Sequence, residues 1–365
     1  MSKSGGRIKI LHLLESAGSE ISSFQRIVEA TARHLDRKRF RVHVWILGED
    51  GPVVDQLAVA GAAVKVIPWS RSLRSDPSGA LRFWQTLRRE HFDIVHQHFG
   101  GGRAVRFVTR CGTRAKILVH FHGVAFLKPG KSLRAPMSDA VVANSEAVAR
   151  CVEGGARVVY AGTEVRDLPV GTAPFESSRP IRTFGMAGRS VALKGFEFMI
   201  EAFAKLYRDH SDLRMEIAGE GPDRNRLEKL TQELGLDSVV RFLGWRSDLY
   251  KLMSEWDVFV QPSLEEGFGM AALDAMVAGL PVIASNVRGL PELIENGKTG
   301  VLVEAQSPSA LAAAAETLIQ DPEMARRFGR AGRARAEERF TAKRMVAELE
   351  SVYLEMMERD ASAPR

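Results

Sequence analysis

The chain has 365 residues, 45% of them hydrophobic and 26% charged. That length exceeds one ordinary core and suits two domains, and that balance excludes a disordered or fibrous chain. The net charge of +6 divides unevenly: residues 1–170 carry 26 Lys and Arg against 15 Asp and Glu, and the remainder 25 against 30.

In chain order, the opening MSKSGGRIKILHLLES has only a short apolar stretch, broken by His12 and Glu15, so no signal peptide is expected. The segments IKILHLL (8–14), RVHVWIL (41–47), AAVKVIP (62–68), DIVHQH (93–98), AKILVHF (115–121), DAVVANS (139–145) and RVVYAG (157–162) read as short buried strands. Helical patterns fall between them, including SSFQRIVEATARHL (22–35) and PSGALRFWQTLRRE (77–90). Residues 163–180 are rich in Pro, Gly, Ser and Thr and read as a linker. A second alternation follows through RTFGMAG (182–188), LRMEIAG (213–219), VVRFLGW (239–245), VFVQPS (258–263), PVIAS (281–285) and GVLVE (300–304), with a helix over 195–210. The last stretch, 341–360, is one amphipathic helix with no strand after it. Such alternation predicts two doubly wound parallel sheets, with ligands at the C-terminal ends of the strands. No run approaches a membrane span, and Cys111 and Cys151 lack metal or redox spacing, so a reduced, cytoplasmic setting is expected.

Two stretches carry chemistry. In EEGFGMAALDAM (265–276), Gly267 and Gly269 allow a sharp turn into a helix whose free N–H groups suit phosphate, while Glu266 and Asp274 suit sugar hydroxyls. On a straight helix those two carboxylates would lie about 12 Å apart. A glycosidase pair sits within about 5–9.5 Å, so the spacing favours two ends of one elongated ligand, such as a nucleotide sugar. In GRSVALKG (188–195), Arg189 and Lys194 flank a strand-to-helix loop, where two cations can hold a diphosphate and neutralise it as it leaves.

Other readings compete. His96 and His98, like His120 and His122, form an H-x-H pair that could hold zinc, but such pairs more often combine one packed and one functional histidine, and no metal is expected. NGKTG (296–300) lacks the upstream glycine of a phosphate loop, because Glu292 stands there. No G-x-G-x-x-G follows the first strand, which argues against a dinucleotide oxidoreductase, and the basic first half lacks any nucleic-acid motif.

The order GRSVALKG, AGEGPDRNRL (218–227), FLGW (242–245), DVFVQPSLEEGFGMAALDAM (257–276) and GLPVIAS (279–285) resembles family 4 of the retaining glycosyltransferases. The resemblance continues more weakly through DIVHQH, HFHG (120–123) and VVANSEAV (141–148). It implies the GT-B fold: two Rossmann-like domains facing across a cleft, at 1–165 and 181–340, a linker at 166–180, and a helix at 341–365 returning to the first domain. The implied roles are a donor diphosphate on Arg189 and Lys194, and a donor sugar on Glu266 and the backbone of Gly267, Phe268 and Gly269. Asp274 would meet the ribose, standing where the family usually has Glu. His122 would approach the sugar, and the first glycine-rich turn survives only in part, as Ala17-Gly18-Ser19-Glu20 with Gly18 toward the donor.

The expected activity is transfer of a hexose from a nucleotide-diphosphate sugar, a UDP-sugar or GDP-mannose, to an acceptor hydroxyl in cell-envelope or exported glycan synthesis. No cofactor is expected, the donor being a co-substrate, and no D-x-D motif for a metal-bound diphosphate occurs. The alternatives are an epimerase or phosphorylase of the same fold, or an idle nucleotide-sugar-binding protein. The basic first half suggests a glycan, lipid-linked or acidic acceptor, or an anionic membrane at whose inner face the protein would act. Lys128, Lys131 and Arg134, beside Phe126 and Leu127, are the candidate contacts.

Overall fold

A computed structural model describes residues 6–15, 23–98, 102–124, 131–165, 174–176 and 180–358. The chain divides into two units, one of residues 1–164 together with 342–365, the other of residues 165–341. In the first unit, strands and helices follow in the order β1 (Ile8–Leu14), α1 (Ser23–His34), β2 (Phe40–Ile46), α2 (Val53–Val59), β3 (Ala63–Val66), α3 (Pro77–Glu90), β4 (Ile94–Gln97), α4 (Arg103–Gly112), β5 (Lys116–Phe121), β6 (Ala140–Ala143), α5 (Glu146–Ala149) and β7 (Arg157–Val158). RVVYAG thus contributes only a two-residue strand. The seven strands form a parallel sheet in the order β3-β2-β1-β4-β5-β6-β7.

The second unit repeats the plan with β8 (Thr183–Ala187), α6 (Phe196–Asp209), β9 (Arg214–Ala218), α7 (Arg224–Glu233), β10 (Val240–Gly244), α8 (Leu249–Glu255), β11 (Val258–Gln261), α9 (Met270–Val277), β12 (Val282–Ser285), α10 (Leu290–Leu293), β13 (Gly300–Val303), α11 (Pro308–Gln320) and α12 (Pro322–Arg339). Its six strands are parallel in the order β10-β9-β8-β11-β12-β13. In each sheet the winding direction reverses once, between β1 and β4 and between β8 and β11. Strand-end loops diverge at such a point and leave room for a ligand.

Strand alternation sorts the residues. Leu11, Leu13 and Val95 enter one apolar cluster with Trp45, Phe83 and Leu87. The residues between them, His12 and His96, point to the opposite face. Helix starts are written locally: α3, α11 and α12 begin with Asp76, Ser307 and Asp321, each accepting a backbone N–H two residues into its helix and followed by proline.

The last helix, α13 (Ala342–Glu358), belongs to the first unit. Its buried residues Met345, Val346, Leu349, Val352, Tyr353 and Met356 recur at three- and four-residue spacing, the stripe of an amphipathic helix. Each such side chain contributes about 1.5–3 kcal/mol by burial. Arg39 to Glu350 at 2.8 Å and Arg157 to Glu355 at 2.5 Å flank the stripe. Among the described residues, no helix is long and apolar enough to cross a membrane.

Candidate functional site

The winding reversal of the second unit carries the first group of residues. After β8 the chain passes exposed Arg189 and buried Ser190, makes a 3-10 turn at Ala192–Lys194, and enters α6 through Gly195. Gly195 has φ 62°, and a Cβ there would lie 2.2 Å from the Pro262 carbonyl oxygen. Only glycine lets the loop after β8 press against the loop after β11. The Leu264 N–H donates to the Leu193 carbonyl at 2.9 Å and ties the two loops together.

That approach brings the Lys194 ammonium to 2.6 Å from Glu266 Oε2. The side chains are 23% and 14% exposed, so solvent screens the pair less than a surface ion pair. Gln261 Nε2 and Ser263 Oγ each lie 3.4 Å from the same carboxylate oxygen, and Gln261 donates to Ser263 at 2.7 Å. Neighbouring Glu265 instead takes the Arg288 guanidinium at 2.7 Å. Gly269, with φ 107°, opens α9, whose first N–H groups stand just beyond Glu266. Asp274 lies in the second turn of that helix, half-buried. Glu266 is therefore in the loop and Asp274 on the helix, so the straight-helix distance does not apply to them.

The AGEGPDRNRL stretch supports this group from below. Ser190 N–H donates to the Glu220 carbonyl at 2.8 Å, and Asp223 N–H donates to the Ser190 carbonyl at 3.0 Å. The backbone carrying Arg189 is thus fixed while its side chain stays in solvent.

The reversal of the first unit gathers histidines. His12 on β1 is paired in register with His96 on β4, and His98, His120 and His122 follow at the ends of β4 and β5. All five sit on the sheet face opposite Leu11 and Val95. The rings of His96 and His98, and those of His120 and His122, are 4.1 Å apart between centroids. His12 Nδ1 lies 2.8 Å from His98 Nε2, and His98 Nδ1 lies 3.1 Å from His122 Nε2. His96 Nδ1 meets the Tyr353 hydroxyl of α13 at 2.7 Å. Burial pushes His12 and His122 down to about 3. Burial, and then mutual repulsion, holds His96, His98 and His120 well below the usual histidine range. The cluster is therefore neutral near pH 7 and works by hydrogen bonds rather than by charge.

Two family descriptions match the chain: "Glycosyltransferase Family 4" over residues 25–165 and "Glycosyl transferases group 1" over residues 177–335. EpsD of Bacillus subtilis (strain 168), which carries a provisional glycosyltransferase name, is 30% identical over 298 residues, covering 74% of this chain and 78% of its own. The chain belongs to glycosyltransferase family 4. This glycosyltransferase is also 26% identical to the N-acetyl-alpha-D-glucosaminyl L-malate synthase of Bacillus anthracis, over 77% of this chain and 79% of that one. HepE of Anabaena, solved with UDP and glucose, superposes with a TM-score of 0.79 at 20% identity, covering 95% of this chain and 99% of that chain. The two-sheet architecture is the GT-B fold.

In this glycosyltransferase the sequence-derived residues fall into separate groups. Lys194, Glu266, Gly267, Phe268, Gly269 and Asp274 lie around one loop–helix junction, with Arg189 on the adjoining loop, and His122 lies in the histidine cluster. Gly18 and the rest of its turn are outside the described residues, as are Phe126, Leu127 and Lys128. Lys131 is exposed, and Arg134 pairs with Glu153 at 2.6 Å. The sequence reading missed Gln261 and Ser263, although both stand within the quoted DVFVQPSLEEG motif, and it missed His12. The histidines form two groups, His12 with His96 and His98, and His98 with His120 and His122, whose ligand nitrogens lie within 4.8 Å of one another. Both nitrogens of His98 are already engaged by neighbouring rings. Either group could take an ion only by giving up one of those contacts.

Proposed function

We propose that this glycosyltransferase moves a hexose from a UDP-sugar to a hydroxyl of a glycan, lipid-linked or acidic acceptor, with retention at the anomeric carbon and without a metal. The observation that carries the reading is the Lys194–Glu266 pair at 2.6 Å, set at the winding reversal beside the opening of α9. Bond breaking leaves a diphosphate gaining negative charge and a sugar gaining positive charge. Lys194, Arg189 and the α9 N–H groups would offset the first, and Glu266 and neutral His122 would orient the second. Because Glu266 is already held by Lys194, we favour same-face attack, with a donor phosphate oxygen taking the acceptor proton, over a covalent sugar on Glu266. The solved complex of HepE with UDP and glucose supports the choice of donor base.

Thermal shift against UDP- and GDP-sugars is the first test, since a ligand at 100 times its dissociation constant adds about 2.7 kcal/mol. Donor hydrolysis in the presence of EDTA, and the anomeric configuration of the product, follow. A stabilising UDP-sugar that is slowly hydrolysed without metal is the expected result. Binding without hydrolysis or transfer would make the protein an idle binder, and an inverted product would end the retaining reading.

The charge excess of the first half supports a further role at an anionic membrane, through the 123–138 segment and Lys131 in particular. Vesicle sedimentation should show binding to anionic but not neutral lipid, lost as the Debye length shrinks from about 10 Å at 0.1 M salt to about 3 Å at 1 M. Equal binding to both lipids would remove the membrane from the proposal.

A further inference from the structure

His98 touches no expected ligand group, yet it occupies the middle of a row. His12 Nδ1 stands 2.8 Å from one of its ring nitrogens and His122 Nε2 stands 3.1 Å from the other. The His12 and His98 ring planes differ by 18° and those of His98 and His122 by 13°, so the three imidazole planes run nearly parallel. A neutral imidazole has one N–H and one lone pair. Each nitrogen–nitrogen contact must therefore be an N–H···N bond, and His98 donates at one end while accepting at the other.

The consequence is that the three protonation patterns are not independent. If His98 donates to His122, it accepts from His12, and His122 carries its own proton on Nδ1. If His98 accepts from His122, it donates to His12, and His122 Nδ1 is bare. A mixed arrangement places two lone pairs or two protons face to face across about 3 Å, which costs a buried hydrogen bond. His122 is the least covered of the five, and its Nδ1, itself a buried atom, has no hydrogen-bond partner among the described residues. With Nε2 engaged by His98, Nδ1 is the ring nitrogen of His122 left outside the row, and its state is the one that His98 sets.

We propose that His98 is a positioning residue, which fixes the ring orientation of His122 and couples its tautomer to that of His12 through the His12–His98–His122 row, so that His122 changes its hydrogen-bonding sense toward the donor sugar only together with the whole row. This rests on the reading of His122 as a sugar contact. It also explains a row of histidines where packing alone would accept apolar residues, as it does at Leu11, Leu13 and Val95 on the other face.

The test needs no substitution at first. In the full-length protein with nitrogen-15 histidine, His12 and His122 should show the same tautomer, both Nδ1–H or both Nε2–H, with a scalar coupling between His122 Nε2 and His98 Nδ1. Averaged tautomers without coupling would overturn the inference. In turnover, His98→Leu should lower kcat/KM about ten-fold, the worth of one hydrogen bond, and His98→Asn, whose amide stands near the former Nδ1, should restore most of it. Equal losses in both variants would make His98 a packing residue and overturn the proposal, and where the Leu variant does not fold, the Asn variant and the wild-type spectrum decide. Unchanged transfer in His122→Leu would instead sink the sugar contact itself, and the functional part of the inference with it. A stoichiometric transition ion bound through His98 in the isolated protein would also overturn the row.

Discussion

Lys194 and Glu266 are separated by 72 residues in the chain and by 2.6 Å in space. Each comes from a loop at the C-terminal edge of the sheet, one after β8 and one after β11. The pair holds a cation and a carboxylate in reserve where a diphosphate and a sugar are expected to part. Lys194→Ala should lower turnover by about two orders of magnitude, the scale of one lost transition-state contact. Combined with Glu266→Gln it should cost far less than the two losses multiplied, because each single change already breaks the pair. Additive losses in the double variant, measured as kcat/KM, would show that the two act separately.

Arg189 offers a contrast, since its backbone is anchored through Ser190 while its side chain is exposed. Arg189→Ala should leave the melting temperature unchanged and still cut turnover about a hundred-fold. Wild-type turnover in this variant would remove Arg189 from the leaving-group site.

Asp274 stands in the second turn of α9, half-buried. A ribose contact is uniform through the reaction, so Asp274→Ala should raise KM for the donor more than it lowers kcat. Asp274→Glu should be tolerated. Unchanged donor affinity with abolished chemistry in the Ala variant contradicts the ribose role.

The histidine cluster makes stability depend on pH. An unfolded histidine titrates near about 6.5, whereas folded His12 and His122 titrate near about 3. Between those values only the unfolded chain binds the protons. Stability is therefore complete above about pH 6.5 and falls as pH drops toward 3, by about 1.4 kcal/mol per pH unit for each such histidine. His96, His98 and His120 are held low as well and steepen the fall. The urea midpoint should drop sharply between about pH 6.5 and about pH 5; a flat midpoint there contradicts a neutral, buried cluster.

Tyr353 and His96 are both fully buried and meet at 2.7 Å. Tyr353→Phe keeps the ring against Phe40 and deletes only the hydroxyl, leaving His96 Nδ1 unpaired. The expected cost is about 1–3 kcal/mol by chemical denaturation. An unchanged midpoint would mean that the contact adds nothing.

Much of the fold was readable because a parallel sheet covered on both faces needs near-continuous apolar runs, as in β1 and β12. The α3 boundaries were readable for a different reason: Asp76 and Pro77 write the start of that helix into the local sequence. His12 was not readable. It is one polar letter inside IKILHLL, and its meaning depends on the β1–β4 register that sets it beside His96, a contact across 84 residues. Gln261 and Ser263 were hidden similarly, since a buried polar residue in a strand end declares its partner only once the loop beyond it has folded back.

The first unit is built from both ends of the sequence, whereas the second is one continuous stretch. On the ribosome, the order of synthesis and the order of completion therefore differ. The first 164 residues precede the second unit, but the helix that supplies Tyr353 to His96 emerges only after it. The second unit can close while the first still exposes the surface that the Met345–Met356 stripe will cover. A stalled or prematurely stopped chain would therefore reveal its defect in the half made first, as an uncovered apolar face and a histidine cluster without its phenol.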